Sequence, residues 1–194
     1  MRQIPKSFLA LMLGVTLVTA FLQILNFYFI DGLLSYHRES FWDNIIYQWI
    51  TPNLVHLNWQ HWFLNILNFY ASIILFYSAW SIKTFIKFFL LASIFVILML
   101  HFFTLHINTY VGMSGVLYGV ALYGAIQTYP NQKYISGFVI SYIIIKLLAE
   151  DTISYIMGVD IILDNIYVVS SVHWYGVVFV ILFMAHTNIR GLST

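Results

Sequence analysis

From Ser7 to Ile30 the chain runs SFLALMLGVTLVTAFLQILNFYFI without one charged side chain. A run of ~20 apolar residues is what an α-helix needs to cross the hydrocarbon of a bilayer. In lipid only a helix or a closed barrel satisfies its own backbone groups. Five further apolar segments follow, each bounded by polar or turn-forming residues: His61–Trp80, Phe85–His106, Gly112–Tyr129, Ile135–Leu148 and Val168–His186. The expected architecture is an all-α membrane protein with six transmembrane helices in a single domain over residues 1–194. Only 8% of the residues are charged, against about a quarter in a soluble domain. The first segment is too long for a signal-peptide core and no small-residue cleavage site follows it, so it is expected to remain as a span.

Charge placement is an independent test of this count. Six spans put both termini on one side, together with Arg2, Lys6, Lys83, Lys87, Lys133 and Arg190. By the positive-inside rule that side is the cytoplasm. The acidic residues all fall opposite: Asp31, Glu39 and Asp43 in the first loop, Glu150, Asp151, Asp160 and Asp164 in the last. Arg38 and Lys146 alone run against the basic pattern. The chain is expected to be multi-pass, with both termini cytoplasmic. The long first outer loop, Asp31 to Gln60, carries Phe41, Trp42, Ile45, Ile46, Tyr47 and Trp49. Such an aromatic set suits the bilayer interface, either as a plain anchor or in substrate access.

The chain has no cysteine, which removes disulfides, thiol nucleophiles and thiolate metal sites. A net charge of +1 gives no reason to expect a nucleic-acid partner, and no pattern calls for a metal or other cofactor. Function must rest on polar groups at membrane depth, which are costly there and mark sites when they cluster. Under the six-span topology, spans two, four and six run the same way, and each carries its unusual residues in its first turns. Span two opens with His61, with Asn65 one turn deeper; span four has Ser114; span six has His173.

This grouping has a chemistry. A serine hydroxyl needs a base within hydrogen-bond reach, and histidine suits that work near neutral pH. An oxyanion needs preplaced donors. Ser114 opens a helix, where backbone N–H groups lack partners, and His61 and Asn65, four apart on one face, add side-chain donors. No carboxylate is expected at this depth, so the residues point to a Ser–His dyad without an acidic third member. Tyr118, one turn after Ser114, either stacks on His173 or packs in the core. Lys146 and Glu150, four apart near the end of span five, are expected to form an ion pair, while His101, His106 and His186 are expected to be ordinary satisfied polar groups.

The glycines of NTYVGMSGVLYG fit the same picture. Gly112 lets the chain turn from loop to helix, and Gly115 and Gly119 let span six come close enough for His173 to reach Ser114. A G-x-S-G match alone is weak; depth, not motif, makes Ser114 a candidate nucleophile.

At these residues the chain resembles the rhomboid intramembrane serine proteases. HLNWQHWFLN fits the family's H-x4-H-x3-N with His56, His61 and Asn65; GMSGVLYG fits G-x-S-G followed by Tyr; VHWYG fits the H-x-x-G that ends in Gly176. The resemblance implies a six-helix rhomboid-like bundle with Ser114 as nucleophile and His173 as base. It also implies an oxyanion hole from His61, Asn65 and the Ser114 N–H, with His56 shaping the first loop. Tyr47-Gln48 stand where the family carries Trp-Arg, Val172 where a small residue precedes the base, and Val180 where a second glycine follows Gly176. HLNW, the Lys146/Glu150 pair and HWYG are similar to the rhombosortase branch. That likeness implies a single-span substrate with a Gly/Ser-rich C-terminal sorting signal, cleaved near the extracytoplasmic surface.

Two other classes compete. A catalytically inactive relative that binds membrane clients has no need of both Ser114 and His173. A small transporter needs polar groups through the whole bilayer, yet the deeper part of span four, GVALYGAI, offers only Tyr123.

Overall fold

A computed structural model describes residues 3–30, 32–43, 45–157, 161–163 and 166–191. Arg2, Asp31, Asp160 and Asp164, used above to orient the chain, lie outside these residues, as do the side chains of Ile45, Ile46 and Arg190. The elements in order are α1 (Lys6–Tyr28), β1 (Tyr36–His37), the one-turn α2 (Ile45–Gln48), α3 (Trp59–Phe76), α4 (Ile82–Phe103), β2 (Thr109–Tyr110), α5 (Ser114–Thr128), α6 (Lys133–Met157), β3 (Ile161–Leu163), β4 (Ile166–Val168) and α7 (Ser170–Gly191).

The helix starts follow from local sequence. Asn58 caps α3 by accepting from the His61 N–H at 2.7 Å, and Ser81 caps α4 by accepting from the Thr84 N–H at 3.1 Å. At the far end of α5, Tyr129 keeps helical backbone (φ −50°, ψ −44°), and the helix stops at Pro130, which has no N–H to continue it. Four helices among the described residues are long and apolar enough to cross a membrane: α1, α3 with its 3-10 extension to Ala79, α4, and α7 over Ser170–Thr187. The chain is thus a multi-pass membrane protein. The other two expected spans correspond to α5 and to α6, which carries Lys146, Glu150 and Asp151.

Among the described residues, two short ladders accompany the helices. β1 pairs antiparallel with β2, Tyr36 opposite Tyr110 and His37 opposite Thr109, and β3 pairs with β4 between α6 and α7. The first ladder is short but consequential, because it ties the first loop to the segment that feeds α5.

Packing centres on α5, which touches α3, α4, α6 and α7. Around Tyr123, Trp80, Phe88, Phe179 and Phe183 join in edge and tilted ring contacts with centroids 4.4–5.7 Å apart. This dry aromatic plug fills the end of the bundle away from Ser114. The first loop also differs from expectation: Trp42 is exposed, as an interfacial anchor should be, but Phe41 is fully buried and stacks on His101 with centroids 4.1 Å apart. His101 is satisfied there, within hydrogen-bond distance (3.0 Å) of the Tyr36 hydroxyl.

Candidate active site

Three helix beginnings meet at the opposite end. His61 stands in the first turn of α3, Ser114 is the first residue of α5, and His173 lies in the first turn of α7. The approach of α5 to α7 rests on glycine. A Cβ on Gly115 would lie 2.8 Å from the Val172 carbonyl oxygen, and one on Gly119 would lie 2.9 Å from that of Gly176. A Cβ on Gly176 would overlap the Gly115 carbonyl oxygen outright. Val172 and Val180, where the family prefers small residues, are accommodated as buried core. Backbone thus lies against backbone, and Ser114 Oγ stands 2.9 Å from His173 Nε2.

The turn into α5 requires its glycine for a different reason. Gly112 has φ of +133°, and a Cβ there would sit 2.8 Å from the His61 ring. No side chain caps α5, so its first N–H groups keep their capacity to bind a developing anion. Asn65 spends one amide hydrogen on the His61 carbonyl at 2.9 Å, leaving the second of its two donors. His61, Asn65, Ser114, Tyr118, Glu150 and His173 all line one cavity of ≈ 390 Å³. It continues between α3 and α6 past Ser72 and Tyr142 to Phe76, Ala121 and Val139. Among the described residues no three His, Asp or Glu side chains are grouped to hold a metal ion.

His56 does not line this cavity. It is fully buried behind His61, with the two rings edge to face at 5.1 Å. Burial, reinforced by the neighbouring His61, lowers its pKa to about 3, so it is neutral.

The expectation of a dyad without an acid is corrected. Glu150 Oε2 lies 2.7 Å from His173 Nδ1, and Glu150 is 7% exposed. Lys146 Nζ donates to Glu150 Oε1 at 2.5 Å and to the Tyr118 hydroxyl at 2.7 Å. Tyr118 in turn stacks on His173, centroids 4.3 Å apart and rings within 16° of parallel. The apolar run that suggested span five ends at Leu148, so Glu150 reads as a loop acid. In fact α6 continues to Met157 and turns Lys146 and Glu150 inward on one face. Tyr110 was also missed. Its buried hydroxyl donates to the Gly112 carbonyl at 2.8 Å, and burial raises its pKa.

The family model of the Rhomboid domain matches residues 43–193. The chain belongs to the rhomboid family. The matched residues include α3, α5, α6 and α7, the helices that carry the site. No curated protein matches this rhomboid.

Proposed function

We propose that this rhomboid is an active serine endopeptidase that cuts single-span membrane proteins close to the extracytoplasmic surface. The observation that carries the reading is the 2.9 Å approach of Ser114 Oγ to His173 Nε2 at the wall of a cavity of ≈ 390 Å³. Ser114 attacks the scissile carbonyl and His173 takes its proton. The Ser114 N–H, the Asn65 amide and the His61 ring meet the oxyanion. Six spans hold the site, with both termini in the cytoplasm of a bacterial inner membrane and the cavity facing outward. The likeness to the rhombosortase branch supports a substrate whose C-terminal sorting signal begins with a Gly/Ser-rich motif.

A fluorophosphonate probe tests the reading. It should label the wild-type protein in membranes and fail on Ser114→Ala and His173→Ala. Failure to label the folded wild type would mean an inactive rhomboid that binds clients. Mass spectrometry of membrane-protein C-termini, in cells with and without the chain, identifies the bond cut.

A further inference from the structure

We propose that Glu150 is the positioning residue of this site, holding His173 in the tautomer that accepts the Ser114 proton, and that Lys146 keeps Glu150 ionised for the task. This rests on the Ser114–His173 reading above and adds a third and a fourth member to it.

The tautomer argument starts from donors and acceptors. An ionised carboxylate only accepts, and a neutral imidazole carries one N–H. With Glu150 Oε2 at 2.7 Å from His173 Nδ1, that hydrogen sits on Nδ1. Nε2 then presents its lone pair to the Ser114 hydroxyl 2.9 Å away. With the proton on Nε2 instead, His173 would face Ser114 as a donor and could not act as base.

The charge argument points the same way. His173 is 5% exposed, so water does little for the imidazolium formed when it takes the proton. A carboxylate in contact with the ring supplies that stabilisation. The carboxylate needs its own support in such a place, because an unpaired buried charge is expensive. Lys146 provides it at Oε1, while its second bond, to the Tyr118 hydroxyl, secures the ring that covers His173. The register is locked once more: Asp151, next to Glu150, accepts from the indole N–H of Trp174, next to His173, at 2.7 Å. Consecutive residues of α6 thus engage consecutive residues of α7.

The proton balance is simple. The Ser114 O–H proton moves to Nε2 as Oγ bonds the substrate carbonyl carbon. It is handed to the leaving nitrogen as the C–N bond breaks. Glu150 neither gains nor loses a proton, and nothing is oxidised or reduced.

The test pairs ¹⁵N NMR of histidine-labelled protein with fluorophosphonate labelling rates. In the wild type the Nδ1 resonance of His173 should be of the protonated type and Nε2 of the unprotonated type. In Glu150→Gln the pattern should invert, since the new amide can donate to Nδ1, and labelling should slow by about 10²–10⁴-fold. Glu150→Asp should retain an intermediate rate. Lys146→Met should slow labelling in the wild-type background and have a much smaller effect in Glu150→Gln, where only its bond to Tyr118 is left to lose. An Nε2-protonated His173 in the wild type, which needs no variant to detect, overturns the proposal. So does Glu150→Gln labelling at the wild-type rate while Ser114→Ala and His173→Ala remain unlabelled, an outcome that leaves the Ser–His reading standing. Full labelling of Ser114→Ala overturns both.

Discussion

The Gln23 side-chain amide meets the His56 backbone twice, donating to its carbonyl at 2.7 Å and accepting from its N–H at 2.6 Å. All of this is buried. One turn earlier Thr19 accepts from the Trp62 indole at 3.0 Å, and one turn before that Thr16 meets the Tyr70 hydroxyl at 3.1 Å. From Thr16 onward the inner face of α1 is thus a polar seam against the first loop and α3, beyond the apolar Phe8 and Met12. Gln23→Leu strands two buried backbone groups, each worth about 1–3 kcal/mol. Thermal unfolding in detergent should show a clear loss of stability, and unchanged unfolding would mean the seam contributes nothing.

Arg38 spends its guanidinium on the end of α4. It donates to the carbonyls of Leu100, His101, Thr104 and Ile107 at 2.7–3.1 Å, gathering the end of the helix and the turn after it; the Leu100 and Thr104 carbonyls also accept from backbone N–H groups. That use explains why it defies the charge sorting of the other basic residues. Arg38→Met should cost about 2 kcal/mol, and Arg38→Lys should recover only part of it because an ammonium lacks the planar fork. Equal stability of the Lys variant and the wild type would count against the capping role.

Gly176 and Gly14 make opposite predictions for the same substitution. A Cβ on Gly176 runs into the Gly115 carbonyl, so Gly176→Ala must push α7 away from α5 and should abolish fluorophosphonate labelling. Gly14 has nothing within 4 Å of its added Cβ. Gly14→Ala should leave labelling intact and stabilise α1 by about 0.5–1 kcal/mol. If both variants labelled alike, the backbone contact would not set the Ser114 to His173 distance.

His56 should make stability depend on pH. Its folded pKa, about 3, lies below the ~6.5 of an unfolded histidine. Between those values the unfolded chain binds the extra proton. Stability is therefore full above about pH 6.5 and falls as pH drops toward 3, with a slope of up to ~1.4 kcal/mol per pH unit. Denaturation midpoints across that range should flatten in His56→Phe; an equal slope in both proteins would place the proton elsewhere.

The helices could be read from apolar runs because lipid demands continuous hydrophobicity, and the ends found lie close to those expected except on α6. The convergence of Ser114, His173, His61 and Asn65 could be read too, since depth in a membrane follows from position along a span. What could not be read is tertiary choice. Glu150 looks like a loop acid until the rotation of α6 is known. Gln23 is one amide in an apolar segment, and its partner lies 33 residues away. Phe41 looks like an interfacial anchor until the stack on His101 places it inside.

At 15 residues, α5 is about 22 Å long, roughly 8 Å short of a typical hydrocarbon core. A helix facing lipid at that length would force the bilayer to thin or would itself shift with membrane thickness. Packed against α3, α4, α6 and α7 and buried over most of its length, it bears little of that mismatch, which falls on its neighbours. Carrying the protein from thin to thick membranes should therefore load the outer helices while leaving the height of the nucleophile fixed by the protein alone.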